Sequence, residues 1–135
     1  MPTLTTYLWV ALGSAMGGVG RFALSGAAAH WIGERFPWGT VAINILGSFV
    51  IGFFGVLSGP GGRLGVTPDI RVFVMVGLCG GFTTFSSFSF QTLNLLRDGE
   101  VLRAGLNVVG SVILCLLAVW LGYLAASGLN GARAG

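Results

Sequence analysis

Residues 80–89 read Gly-Gly-Phe-Thr-Thr-Phe-Ser-Ser-Phe-Ser, so two glycines, three phenylalanines and five hydroxyl side chains stand together without a charge. They lie inside an uncharged interval, residues 72–96, that is bounded by Arg71 and Arg97. Because a helix of about 20 apolar residues spans the ~30 Å hydrocarbon core of a bilayer, this interval is long enough to cross a membrane. The sequence therefore predicts a polar patch close to the middle of a membrane.

The same stretch predicts a break in that membrane helix. Non-helical backbone at membrane depth is tolerated only where it is buried in protein or lines a water-filled cavity. Paired glycines, here Gly80 and Gly81, are the residues most able to interrupt a helix. We expect the break near residues 80–84, and broken membrane helices mark places where ions or substrates bind or pass.

The composition is that of an all-α integral membrane protein, since 54% of the 135 residues are hydrophobic and 8% are charged. Predominantly apolar stretches predict four transmembrane helices, at about residues 4–29, 38–58, 70–97 and 101–127. The links between them are short and carry glycine, proline and charge, so a single transmembrane domain over residues 1–135 is expected. The first stretch opens without a basic segment and outlasts a signal-peptide core, which favours a retained helix.

The basic residues predict orientation rather than nucleic-acid binding. All seven are arginines scattered singly along the chain, so no basic stripe suits a nucleic acid. With four spans, three arginines fall on each side of the membrane: Arg63, Arg71 and Arg133 against Arg35, Arg97 and Arg103. The positive-inside rule then gives almost no preferred orientation. This balance favours insertion both ways up and an antiparallel dual-topology homodimer; the alternative is that the amino terminus or the unequal loops decide the orientation.

The sequence carries no arrangement typical of an enzyme. It has no Ser/His/Asp arrangement, phosphate loop or paired carboxylate, and its four acidic residues lie in loops or at span ends. A proton-coupled carrier usually holds a carboxylate within a span, so a passive pathway fits better. Cys79 and Cys115 have no partner at metal-ligand spacing and are interpreted as packing residues.

Several polar and aromatic residues within the spans are candidates for a site. Asn44, on one helix face with Thr40 and Ser48, either joins helices or donates hydrogen bonds to an anion. Arg21 either extends toward the interface or places a positive charge at a pore mouth. Phe85 and Phe88 share a helix face; such a pair usually packs in a core, but here it follows a predicted break, and the positive edges of the rings can meet a small anion.

Glycine spacing gives a weaker signal. Gly13 with Gly17, and Gly77 with Gly81, have the spacing of close helix contacts. In a chain with 24 glycines this spacing also arises by chance. We therefore draw no helix pairing from it.

Taken together, these residues resemble the small bacterial fluoride channels of the Fluc or CrcB family along the whole chain. The run at residues 80–89 in the middle of a span of a four-span chain is the specific part of the resemblance. Shorter matches lie at residues 17–22 (Gly-Gly-x-x-Arg-Phe), 38–40 (Trp-Gly-Thr) with Asn44 and Gly47, and 117–122 (Leu-Ala-Val-Trp-Leu-Gly).

The resemblance implies a dual-topology homodimer in the bacterial cytoplasmic (inner) membrane, with two fluoride pores and a central structural sodium ion (Na⁺). It implies that fluoride leaves the cytoplasm passively. Gly80 and Thr83 would supply backbone carbonyls to the sodium. Phe85 and Phe88 would face fluoride with their ring edges. The remaining implied residues are the polar pore-lining Asn44, Thr40, Ser86, Ser87 and Ser111, and the vestibule arginine Arg21.

Two departures from the family pattern bear on conduction. Asn107 stands where the family usually has a tyrosine, four residues before Ser111, and Gln91 replaces a frequent glutamate. Two other classes of protein remain as alternatives: a small proton-coupled multidrug exporter, which the missing carboxylate disfavours, and a non-conducting accessory subunit, in which the polar residues only join helices.

Overall fold

The computed structural model describes residues 1–134, and in this part of the chain every regular element is helical. Helices α1 (Leu4–Trp31) and α2 (Trp38–Leu57) precede a compound third segment. That segment comprises α3 (Pro68–Val72), a π-helical stretch (Phe73–Cys79), α4 (Gly80–Phe82) and α5 (Phe85–Arg97). Helix α6 (Val101–Ala134) follows. The predicted all-helical fold is confirmed.

Among the described residues, three helical segments are long and apolar enough to cross a membrane: Trp38–Leu57, Pro68–Arg97 and Val101–Ala132. Their length and composition indicate a multi-pass membrane protein. Helix α1 has 28 residues and so rises about 42 Å, but it is not in that apolar group. Small and hydroxylated residues, together with Arg21, dilute its large apolar side chains. The predicted count of four spans stays a prediction.

Capping residues fix where two of the segments begin. Thr3 accepts a hydrogen bond from the Thr6 amide at 3.3 Å and caps α1. Thr67 caps α3 in the same way, and Pro68 follows it at the first helical position, where its missing N–H has no cost. The hydroxyl of Thr6 donates to Asp69 Oδ1 at 3.0 Å, which joins these two helix starts at one end of the molecule.

Glycines allow α1 to pack directly against the backbone of the third segment. A Cβ atom built on Gly77 would lie 3.0 Å from the Cα of Gly13, and one on Gly13 would lie 2.9 Å from the Cα of Gly77. Gly81 meets the backbone of Ser14 in the same way. The glycine spacing that we discounted in the sequence is therefore a real helix contact, since small residues let two backbones approach.

The third segment breaks at Thr83 and Thr84, within the predicted interval, but the paired glycines do not make the break. Gly80 has φ −64° and ψ −37°, ordinary helical values, and Gly80–Phe82 is helix. Thr83 (φ −79°, ψ 158°) and Thr84 (φ −153°, ψ 120°) are extended. β-Branched residues favour this conformation. The π-helical stretch before the break, Phe73–Cys79, was not predicted.

Candidate functional site

A reciprocal pair of hydrogen bonds holds the break open. The Asn44 side chain donates from Nδ2 to the Thr84 carbonyl at 3.0 Å and accepts the Thr84 amide on Oδ1 at 2.9 Å. The carboxamide thereby replaces a backbone partner for an extended residue that has none within its own helix. Asn44 acts here as a clamp between α2 and the third segment, the first of the two uses that its sequence position allowed.

Side-chain acceptors at the break leave two backbone carbonyls without their helical donors. In an unbroken helix each carbonyl accepts from the amide four residues later. For Gly80 that amide belongs to Thr84, which donates to Asn44 instead. For Thr83 it belongs to Ser87, which donates to Thr84 Oγ1 at 3.2 Å. The two carbonyls predicted to bind sodium are therefore among those that lose their helical donors at the break.

A cavity of about 340 Å³ opens beside the break. It is bounded by α2, the two ends of the broken segment and α6. Six of the residues predicted for the site line it together: Asn44, Gly80, Thr83, Phe85, Phe88 and Ser111. Sequence positions far apart in the chain thus meet at one place in the fold, around the non-helical backbone.

Two aromatic rings form one wall of this cavity. The Phe85 and Phe88 ring centroids lie 5.4 Å apart with their planes inclined by 43°. Phe85 is 77% exposed in the single chain, so it does not pack in a core. Such rings carry a positive edge and a negative face. The pair can therefore present ring edges to a small anion in the cavity.

A chain of hydrogen bonds connects the cavity wall of α6 to α5. Ser111 Oγ donates to Asn107 Oδ1 at 3.2 Å, and Asn107 Nδ2 donates to Thr92 Oγ1 at 2.9 Å. Thr92 Oγ1 in turn donates to the Phe88 carbonyl at 2.7 Å. Asn107 is 1% exposed and Ser111 is 7% exposed, so the chain is shielded from solvent.

Two predicted serines lie after the break but not on the cavity wall described here. Ser86 is exposed, and its Oγ lies 3.4 Å from Thr84 Oγ1. Ser87 contributes its backbone amide to the same threonine hydroxyl, which caps α5. In the single chain these serines belong to the start of α5, and their predicted pore role stays a prediction.

Thr40 and Arg21 also lie apart from this cavity. Thr40 is buried, at 5% exposure, and lines a different cavity near Trp38. Arg21 donates from Nε to the Gly81 carbonyl at 3.2 Å, next to the break. A guanidinium at the last turn of a short helix suits the partial negative charge there. Its predicted role in a vestibule is not tested by this contact.

Two further cavities lie between the break and the end of the bundle. Arg35 and Arg103 line both of them, one of about 470 Å³ and one of about 620 Å³. Gln91 lines the smaller, and its Oε1 is buried without a hydrogen-bond partner among the described residues. Ser111 lines both the 620 Å³ cavity and the cavity at the break. The three cavities thus follow one another along α6.

Sequence reasoning missed the roles of three residues in this region. Cys79 and Cys115, which we had interpreted as packing residues, both line the cavity at the break. Thr92 received no role, yet it joins Asn107 to the Phe88 carbonyl. The spacing of Ser111 and Cys115, one helical turn apart, was the available signal for the cysteine on α6.

The helical bundle, the broken segment and the cavity beside the break define a small multi-pass membrane protein. Comparison with known proteins narrows the class. The family described as CrcB-like protein, Camphor Resistance (CrcB), matches residues 8–123. The chain belongs to the CrcB family, as its sequence motifs indicated.

Curated relatives agree with this assignment over nearly the full length. A protein of Opitutus terrae named fluoride-specific ion channel FluC is 62% identical over 96% of this chain and 98% of its own length. Proteins of the same name from Methylocella silvestris (60% identical, covering 92% of this chain and 95% of the relative) and Paramagnetospirillum magneticum (58%, covering 94% and 99%) are similarly close. Ion channels are not enzymes, so the predicted non-enzymatic function is confirmed.

Proposed function

We propose that this protein is a fluoride-selective ion channel through which cytoplasmic fluoride leaves the cell passively. The observation that carries the proposal is the cavity at the helix break. Its described wall combines an amide, hydroxyls and two phenylalanine rings, and contains no carboxylate. The relatives named as fluoride-specific ion channels, similar over nearly the whole chain, support the same function.

The wall suits an anion that is strongly hydrated and small. A selective path must replace the water around fluoride with close donors and yet let the ion leave again. Only one Asn44 N–H is used by the Thr84 carbonyl, so the second is available to the ion. Ring edges of Phe85 and Phe88 add weak positive potential. Among the described residues no arginine, lysine or histidine lines this cavity, so no cationic side chain there traps the ion.

Charge at the 620 Å³ cavity supports entry by an anion. Arg35 and Arg103 line this cavity, whose described wall holds no carboxylate, and Ser111 joins it to the break. The 470 Å³ cavity has three carboxylates beside the same two arginines, so its charges do not favour an anion. Arg103 and Ser111 are separated by about 12 Å along α6. Arg103 lies 3.7 Å from Glu100, which weakens the positive potential of Arg103. Arginines in a low-dielectric cleft nevertheless concentrate anions. The Arg21 contact with Gly81 would add positive charge on the other side of the break.

Fluoride efflux from liposomes holding only this purified protein tests the function. We expect liposomes loaded with potassium fluoride to release fluoride rapidly once a potassium ionophore balances the charge, without any proton gradient. Liposomes loaded with potassium chloride should retain chloride under the same conditions. Flux that requires a proton gradient would favour an exporter, and the absence of flux from a well-folded preparation would favour an accessory subunit.

We further propose four spans, with α1 as one of them, and an antiparallel dual-topology homodimer with two pores. The arginine balance supports this assembly, as does Phe85, whose 77% exposed ring would be covered by a second copy. Three arginines added to the loop at residues 59–67 should bias the orientation and inactivate the variant. Co-expression with an oppositely biased copy should restore flux. Full activity of the biased copy alone would refute dual topology.

A structural sodium ion between the two subunits completes the proposal. The carbonyls of Gly80 and Thr83, which lose their helical donors, fit a hard cation that binds oxygen. Two copies of the chain would bring both pairs of carbonyls together. Such an ion would neutralise exposed carbonyl dipoles at the interface. An ordered high-resolution structure in sodium buffer that shows water between the two breaks would refute it.

A further inference from the structure

The hydrogen-bond chain from Phe88 to Ser111 has a polarity that one backbone group determines. A carbonyl oxygen can only accept a hydrogen bond, so at 2.7 Å the Thr92 hydroxyl must give its proton to the Phe88 carbonyl. Thr92 Oγ1 then has only lone pairs left for its neighbour Asn107, 2.9 Å away. The Asn107 atom facing Thr92 is therefore the amide nitrogen.

The orientation of the Asn107 amide determines the direction of the Ser111 proton. With Nδ2 turned to Thr92, Oδ1 faces Ser111 at 3.2 Å. An amide oxygen only accepts, so Ser111 must donate to it. A serine hydroxyl has a single proton. What Ser111 can offer to the cavities is therefore its lone pairs.

We propose that Asn107 is a positioning residue that holds the Ser111 proton away from the ion path. The inference rests on the proposed fluoride channel and deepens it. Ser111 lines both the cavity at the break and the 620 Å³ cavity next to it, so an ion passing between them meets this side chain. An acceptor at that junction does not bind fluoride, and the anion passes it without being held.

Burial keeps this arrangement in place. Asn107 is 1% exposed, so if Oδ1 lost its hydrogen bond from Ser111, no water would replace that donor. Turning the amide over would place Oδ1 against Thr92 Oγ1, whose proton would then have to leave the Phe88 carbonyl. Each way of freeing the Ser111 proton thus breaks a buried hydrogen bond elsewhere in the chain. The substitution of Asn107 removes that constraint.

The test compares the fluoride dependence of flux in Asn107→Leu, Ser111→Ala and the double variant. In Asn107→Leu the freed Ser111 proton can donate to fluoride, so the half-saturating fluoride concentration should fall by roughly tenfold, the effect of one hydrogen bond to an ion. The maximal flux should fall with it, because a tightly held ion leaves slowly. In the Ser111→Ala background, Asn107→Leu should leave the half-saturating concentration where Ser111→Ala alone puts it.

Further variants separate positioning from mere packing. Asn107→Asp keeps an acceptor against Ser111, so its half-saturating concentration should not fall. Asn107→Ala should repeat the shift of Asn107→Leu, and serves in its place if the larger residue does not fold. The melting temperature gives a second measurement that does not depend on flux. Its rise with added fluoride should begin at a lower fluoride concentration in Asn107→Leu or Asn107→Ala than in the unsubstituted protein.

An unshifted half-saturating concentration in the leucine and alanine variants would overturn the inference, as would a shift that persists without the Ser111 hydroxyl. If the unsubstituted protein conducts no fluoride at all, it is the proposed function that fails.

Discussion

Two asparagines, the half-buried Asn44 and the buried Asn107, make opposite use of the same side chain. Asn44 gives both ends of its carboxamide to the backbone of one residue, Thr84. Asn107 gives its two ends to two side-chain hydroxyls, those of Thr92 and Ser111. The first amide substitutes for a missing helical partner and fixes where the backbone goes. The second fixes which way a proton points.

The difference shows how one kind of polar group serves both architecture and ion chemistry inside a membrane protein. A backbone clamp cannot change without the break changing, because the Gly80 carbonyl and the Thr84 amide depend on it. The hydrogen-bond chain Ser111–Asn107–Thr92, which we call the relay, can change while the helices stay where they are. We therefore expect substitutions at the clamp to have larger effects than substitutions along the relay.

The largest effect is expected for Asn44→Asp. A carboxylate cannot donate to the Thr84 carbonyl, and it adds a negative charge to an anion path. The lost hydrogen bond to Thr84 and the charge repulsion together should reduce fluoride flux by about 100-fold or more. Flux from liposomes measures this directly. Ser48→Ala, a change on the same wall that leaves the clamp intact, is the matched control and should conduct. Cation leak through Asn44→Asp would instead indicate a different pore.

An intermediate effect is expected for Phe85→Ile and Phe88→Ile. Phe85 directly follows Thr84, the residue that the clamp holds. The backbone carbonyl of Phe88 ends the relay, so the two rings connect the clamp with the relay. Isoleucine retains apolar bulk but has no ring edge for an anion. Each variant should lose roughly tenfold in flux while the protein remains folded. Unchanged flux in both variants would mean that these rings contribute packing and do not contact the ion.

The smallest effect is expected for Thr92→Val, which keeps the shape of the side chain and removes its hydroxyl. The Asn107 amide loses its acceptor, and a buried unpaired donor costs about 1–3 kcal/mol. The melting temperature in detergent should fall, whereas flux should change by less than about tenfold, since the clamp is intact. A loss of flux as large as that of Asn44→Asp would contradict the distinction between clamp and relay.

Much of the fold could be predicted from the sequence because the membrane makes apolar length a strong signal. The helical class follows from it, whereas the break within residues 80–84 was predicted from the polar run and its paired glycines; the structure has both. The residue that makes the break could not be predicted from local preference. Thr84 is extended because it finds both of its partners in Asn44, a residue of another helix, whereas Gly80 keeps helical backbone angles.

The sequence indicated candidate-site residues where a motif marks them, but not residues whose role depends on which helix lies beside them. Residue chemistry indicated Asn44, Phe85 and Phe88, the resemblance assigned roles to them and to Ser111, and the four residues line one cavity. The role of Thr92 depends on which helix lies beside it, so spacing within α5 could not reveal it. Assembly, orientation and sodium depend on a second copy of the chain and remain predictions.

The central claim, that the ion passes through the cavity at the break, is tested most directly by modifying Cys115. This thiol is free, half-buried and on the cavity wall one turn beyond Ser111, whereas the other cysteine, Cys79, is 4% exposed. Fluoride flux is measured before and after a small charged thiol reagent, and mass spectrometry reports which cysteine has reacted. Flux should fall to that of protein-free liposomes, and Cys115→Ala should be insensitive to the reagent. Complete modification of Cys115 with unchanged flux would contradict the claim.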